Sequence, residues 1–230
     1  MTARAVAVPW QASYRAIPSR FPPVSLFEDV ADPDELDAVF ALQALTNPRL
    51  RMAAGAIDLV PRSERVSGSG STPVMAAFTH LNPQGSRFSD GTWGVYYAAE
   101  SLETAIAEVG FHAARFMAET AQPPIDIDYR SYVAEIVQPL HDLRSRHWAA
   151  VHEPDSYGAS VLLARVYRAA QSWGLLYRSV RRSGGECAAV LRPRAIRLPV
   201  VQGAHFSLRW DGHVISDWFL KSDHHSLVVR

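Results

Sequence analysis

The chain has 230 residues, 48% hydrophobic and 20% charged, with Lys+Arg 23 against Asp+Glu 23. That composition is of a globular protein with a sizeable core, and the zero formal charge argues against a general binder of nucleic acid or anionic membranes. No signal peptide or membrane-length apolar run is visible, and the single cysteine, Cys187, cannot close an internal disulfide, so a cytoplasmic protein is expected.

Residues 1–13 carry weak signals and read as an N-terminal arm ahead of one domain over 14–230. Tyr14 to Ile17 suits a strand, after which Pro18, Pro22 and Pro23 enforce an extended path. Asp32-Pro33 is a helix start, with Leu36, Val39 and Phe40 on one face and an end near Asn47-Pro48. Residues 62–73, rich in serine and glycine, form a loop that is either a flap over a site or a surface connection. V-M-A-A-F-T-H, 74–80, reads as a buried strand.

Arg87 follows in a Gly/Ser/Asp-rich loop, and Trp93 to Tyr97 reads as a second buried strand. Ser101 can cap a helix, with Glu103 in its first turn and Leu102, Ala105, Ile106, Val109 and Phe116 on a core face. At 3.6 residues per turn Glu108 shares a flank with Ser101, Thr104 and His112. A cation, a phenol and a carboxylate can thus meet across one loop–strand–helix corner.

Residues 121–128 read as a linker and Ser131 to Val137 as a strand. Ser156 can cap a helix over Tyr157–Trp173 with Val161, Leu162, Val166 and Ala169 inward, stopped by Gly174. Leu175–Val180 and Glu186–Leu191 form a hairpin through R-R-S-G-G, and His205–Trp210 pairs with His213–Leu220 through Asp211-Gly212. Trp210, Trp218 and Phe219 are expected in the core. The mixture is α+β: one domain of mixed or antiparallel sheet with flanking helices.

Phosphate-loop, dinucleotide and zinc-protease signatures are missing. His224-His225 beside Asp223 lacks a third ligand, so no metal site is expected. Cys187 reads as a buried small hydrophobe rather than a nucleophile. Singly, Arg87 is as well explained by a loop ion pair, Tyr97 by a core aromatic and Glu108 by a surface charge. Their order and spacing together tell more. Arg87, Tyr97 and Glu108 in A-I-A-E, with Y-R-A-I at 14–17 and L-L-Y-R-S-V…G-G-E-C-A-A-V-L-R-P over 175–193, resemble the RES domain, the toxin half of bacterial RES–Xre toxin–antitoxin modules. Arg178 departs from the proline expected before the serine. The segment I-P-S-R-F-P-P-V-S-L-F-E resembles the subgroup with a longer N-terminal region.

The resemblance implies a fold similar to ADP-ribosyltransferases and chemistry on NAD as co-substrate, with no metal. It implies Glu108, Tyr97 and Arg87 as catalytic residues, and Arg15, Arg87, Tyr97 and Ser179 as residues that hold NAD. A carboxylate suits the oxocarbenium-like charge formed when the nicotinamide–ribose bond breaks, and an arginine fork suits a diphosphate. The implied partners are an Xre-like antitoxin and a protein target, with phosphoribosyl pyrophosphate synthetase as one candidate; nucleic acid and membrane are not expected partners. Transfer of ADP-ribose to water or phosphate is the main alternative, ahead of an RNA-cleaving toxin or a non-catalytic interaction module.

Overall fold

The structure, a computed structural model, describes residues 2–20 and 55–222. Its strands are β1 (Ala5–Val6), β2 (Ser13–Pro18), β3 (Tyr96–Ala99), β4 (Ile125–Ala134), β5 (Leu140–Asp142), β6 (Gly174–Arg178), β7 (Glu186–Val190), β8 (Val201–Trp210) and β9 (Ile215–Leu220). They form one sheet in the order β1-β5-β6-β7-β3-β2-β4-β8-β9. Only β5 and β6 run parallel; the other described pairs are antiparallel. Three described α-helices, α1 (Thr72–Thr79), α2 (Leu102–Ala118) and α3 (Gly158–Ala169), pack with this sheet, which gives the expected α+β arrangement.

The central strands β6, β7 and β3 are covered on both faces, which is why they are apolar without alternation. Leu175, Leu176, Ala188, Ala189 and Val190 are all 0% exposed. Tyr96, Ala98, Leu176, Ala188 and Val190 build the core on one face with Val74, Met75 and Phe78 of α1. Ala99, Leu175, Tyr177, Cys187 and Ala189 build it on the other, with Ala164 and Tyr167 of α3. Burying each of these leucines stabilises the fold by about 1.5–3 kcal/mol.

Several expectations are corrected here. V-M-A-A-F-T-H is helical: α1 starts with Pro73 in its first turn and buries Val74, Met75, Ala77 and Phe78. A helix buried almost all round shows no polar face, so its period cannot be told from a buried strand. Gly94 makes the close seat for it, since a Cβ there would lie 2.3 Å from both the Ala77 carbonyl oxygen and Phe78 Cα. Both neighbours are backbone and cannot move aside cheaply. Gly94→Ala is therefore expected to cost about 3 kcal/mol, read as a Tm fall of about 6–12 °C on thermal unfolding.

The expected arm is part of the sheet: β1 pairs with β5, and the buried Ala3 N–H donates to Tyr167 Oη at 2.6 Å. Of the expected linker over 121–128, Ile125 to Asp128 open β4, where Asp126 and Asp128 disfavour strands by propensity. Cross-strand partners hold them, Arg209 on Asp126, and Ser207 and Lys221 on Asp128. Phe116 is 55% exposed because the buried side of α2 runs through Ala113 and Met117 instead.

α3 presents a different face from the one expected. Ser160, Ala164 and Tyr167 are buried, while Leu162 and Val166 are 62% and 65% exposed. Its exit comes at Gln171, with φ of 55°, rather than at Gly174. In the last hairpin the loop is four residues, closed by Asp211 Oδ1 accepting from His213 and Val214 N–H, both at 2.8 Å. Trp210 is buried there, but Trp218 on the edge strand is 40% exposed. Pro22-Pro23, the helix from Asp32-Pro33 and His224-His225 lie outside the described residues. Among the described residues no helix is long and apolar enough to cross a membrane, and no group of three or more His, Cys, Asp or Glu side chains could hold a metal.

Candidate active site

The registers Tyr97↔Ala189, Ala99↔Cys187 and Tyr177↔Cys187 put Tyr97, Cys187 and Tyr177 on one face of the sheet. The loop before β3 folds back onto that face. Phe88 N–H donates to Tyr97 Oη at 2.9 Å, and Ser86 Oγ lies 2.8 Å from the same oxygen. With one lone pair taken by an amide, the phenol proton is free to point at Ser86. Burial pushes the Tyr97 phenol up to about 12, so it stays protonated at neutral pH.

Arg87 is the buried cation of the site, 6% exposed. Its Nη1 donates to the carbonyls of Val151 (3.0 Å) and Glu153 (2.9 Å), and its guanidinium carbon lies 4.7 Å from the centre of the Tyr157 ring. Among the described residues, no carboxylate pairs with it, and Nε and Nη2 have no hydrogen-bond partner. A buried guanidinium that keeps two donor positions open is a ready seat for an anion.

α2 brings the carboxylate. Its phase is set by Ser101, whose Oγ accepts from Thr104 N–H at 3.2 Å. Glu108 Oε1 then accepts from Ser179 Oγ at 2.6 Å. Ser179 Oγ in turn accepts from Arg181 N–H (3.1 Å) and Arg182 N–H (3.0 Å), so one hydroxyl organises the β6–β7 turn and aims the carboxylate. Among the described residues Oε2 of Glu108 has no hydrogen-bond partner. Burial first, and then the nearby Glu108 and Glu100 charges, hold the Cys187 thiol well above its usual range, which removes it as a nucleophile. Tyr177 is also held up, by burial foremost, and it senses both Glu108 and Arg87. Cys187 Sγ lies 3.9 Å from Glu108 Oε1, and the Phe88 ring next to Arg87 meets the Tyr177 ring at 4.9 Å, so the carboxylate and the Arg87 loop lie against the same face of the sheet.

The chain matches the RES domain over residues 62–211. It belongs to the RES family. A relative from Sinorhizobium fredii (strain NBRC 101917 / NGR234), "Uncharacterized protein y4oC", is 30% identical over 208 residues, spanning 88% of this chain and 84% of that protein. Among solved structures, one similar to this chain is the M. tuberculosis MbcT–MbcA toxin–antitoxin complex, with a TM-score of 0.46 and 12% identity over 90% of this chain and 86% of that chain.

Arg87, Tyr97, Glu108 and Ser179 all fall inside the matched RES segment and are the residues brought together. Arg15 is not among them. The register Tyr14↔Ala99 puts Tyr14 on the Cys187 side of the sheet and Arg15 on the other. There its guanidinium carbon sits 4.8 Å from the centre of the Tyr96 ring, and Nη1 donates to the Tyr97 carbonyl at 3.2 Å. Arg15 braces the site strand from behind, so this position does not support the NAD-holding role expected of it.

Sequence reasoning missed Tyr157 under Arg87 and the carbonyls of Val151 and Glu153, because residues about 65 positions away in an irregular segment carry no local signal. It also missed Arg181, whose guanidinium lies on the Phe111 ring and donates to the Pro154 carbonyl. Beside Ser86 and Tyr157 opens a cleft of about 370 Å³, lined also by Ser89, Asp90, Val161 and Leu162. Ser179→Ala removes three hydrogen bonds at once from the candidate site. It is expected to cost about 1–2 kcal/mol, a Tm fall of about 2–8 °C on thermal unfolding.

Proposed function

We propose that this RES-family protein is the toxin of a toxin–antitoxin pair and consumes NAD, moving its ADP-ribose to a protein acceptor. The observation that carries the reading is that one face holds both a Ser179-oriented carboxylate and a buried arginine, each with hydrogen-bonding positions left without a partner among the described residues. Those are the two charges that NAD cleavage needs, one for the ribose and one for the diphosphate.

In this reading Arg87 holds the diphosphate through Nε and Nη2 while Val151 and Glu153 keep Nη1 fixed. Tyr97 presents its ring to the nicotinamide–ribose end, its hydroxyl already committed to Phe88 and Ser86. Breaking the glycosidic bond leaves its electron pair on the pyridinium nitrogen, so nicotinamide departs neutral and needs no proton donor. That suits a site whose phenol stays protonated near neutrality. The Glu108 carboxylate stabilises the positive charge growing on the ribose and accepts a hydrogen bond from a ribose hydroxyl. An acceptor then bonds to the anomeric carbon and loses its proton to solvent, closing the balance as ADP-ribosylated acceptor, nicotinamide and a proton.

The acceptor on this reading is a protein, with phosphoribosyl pyrophosphate synthetase as the specific candidate, and an Xre-like antitoxin covers the site in the resting cell. NAD labelled on the adenylate, incubated with and without cell extract, tests this. One labelled extract protein supports the transferase, free labelled ADP-ribose alone replaces it with a hydrolase, and uncleaved NAD refutes both.

A further inference from the structure

The segment Arg146–His152, with Glu153 after it, holds Arg87 through the carbonyls of Val151 and Glu153. His152 stands between these two residues, and both its ring nitrogens are used. Nδ1 lies 2.9 Å from the Trp148 carbonyl, and Nε2 lies 3.2 Å from the backbone nitrogen of Arg178. A carbonyl only accepts and a backbone N–H only donates, so this pattern requires a neutral ring with its proton on Nδ1. Arg178 closes β6, and the next residue, Ser179, orients Glu108. One imidazole therefore ties the segment that seats Arg87 to the turn that seats Glu108.

We propose that His152 is a positioning residue: as a neutral imidazole it sets the spacing between the Arg87 seat and the Glu108 seat, and its protonation releases that tie. The inference rests on the NAD reading of the site, since the grip that loosens is the one on the diphosphate. A second proton, on Nε2, would face the Arg178 N–H and break the link to β6. The charged and titratable groups facing the ring are Arg178 and Tyr177 from β6 and Arg87 from the loop before β3. Both arginines oppose an imidazolium. Partial burial, foremost, and then these cations hold the imidazole below its usual range, despite the Trp148 carbonyl. The folded protein thus binds fewer protons here than the unfolded chain, so the tie is intact at neutral pH and is lost as pH falls through the folded value.

The test follows the His152 ring nitrogens and the Arg87 Nε–H by nitrogen-15 NMR from about pH 8 to about pH 5, beside His152→Gln, whose amide keeps one acceptor and one donor. The expected result is an Nδ1-protonated neutral ring at high pH and an Arg87 signal that shifts with the His152 midpoint in the wild type only. An Arg87 signal that stays still while His152 titrates, or shifts identically in His152→Gln, overturns the proposal. In turnover, KM for NAD is expected to rise about fivefold or more across the same range with little change in kcat, and to flatten in His152→Gln. An equal rise in the variant also overturns it. If NAD is not cleaved at any pH, the NAD reading fails by itself and the NMR comparison alone decides the role of His152.

Discussion

Glu108→Gln is expected to lower the rate of NAD cleavage by about 10²–10³-fold while the protein stays folded. The substitution keeps size and shape. A glutamine carbonyl oxygen can still accept the Ser179 hydroxyl that now reaches Oε1 at 2.6 Å, so the turn above α2 keeps its anchor. What disappears, on the proposed function, is the negative charge opposite the ribose, a charge that would act on the transition state far more than on bound NAD. The loss should therefore fall on kcat, with KM nearly unchanged. Tm should move by only about 1–3 °C. A variant that cleaves NAD at the wild-type rate removes Glu108 from the chemistry. A variant that fails to fold makes the Ser179 contact structural first.

Arg87→Ala should damage both fold and function. The guanidinium is 6% exposed, donates to two carbonyls and lies over the Tyr157 ring. Removing it leaves the Val151 and Glu153 carbonyls without that donor and Tyr157 over a gap. A cost of about 2–4 kcal/mol is expected, seen as a Tm fall of about 4–16 °C. NAD binding should weaken by more than tenfold through loss of a two-donor contact to the diphosphate. Arg87→Lys separates the effects. An ammonium keeps the charge and part of the fold, but it cannot hold two carbonyls and a diphosphate from one planar group, so KM for NAD should rise while Tm recovers part of its loss. Calorimetry and NAD titration on the two variants read both quantities. Unchanged NAD affinity in Arg87→Lys would move the diphosphate elsewhere, with Arg181 the next cation to test.

The site was legible in the sequence where local rules fix direction. Ser101 sets the phase of α2, and the phase alone puts Glu108 on a flank; Ser179, expected inside a strand over 175–180, lies just past the end of β6 at Arg178. What was hidden depended on pairing. Tyr96 and Tyr97 are adjacent, and only the register Tyr97↔Ala189 decides that Tyr97 faces the Cys187 and α3 side while Tyr96 faces α1. The same parity, through Tyr14↔Ala99, sends Arg15 to the far face although its neighbour in sequence is a tyrosine like those of the site. Periodicity failed where burial is complete, as in α1, and where two apolar stripes compete, as in α3. In α3 the stripe through Ala164 and Tyr167 wins because a small residue admits the sheet and the Tyr167 hydroxyl receives the Ala3 amide. That leaves Val161 and Leu162 on the wall of the cleft beside Ser86. The acceptors that seat Arg87 could not be read at all, since they are the carbonyl of Val151 in a 3₁₀ segment and that of Glu153 just after it, and no side chain announces them.

The most direct test of the Arg87–Tyr97–Glu108 site is nicotinamide release from NAD by the purified, folded protein, measured side by side with Glu108→Gln. Release by the wild type that falls at least about a hundredfold in the variant is the predicted result. No release by the folded wild type, in the presence or absence of cell extract, would contradict the account.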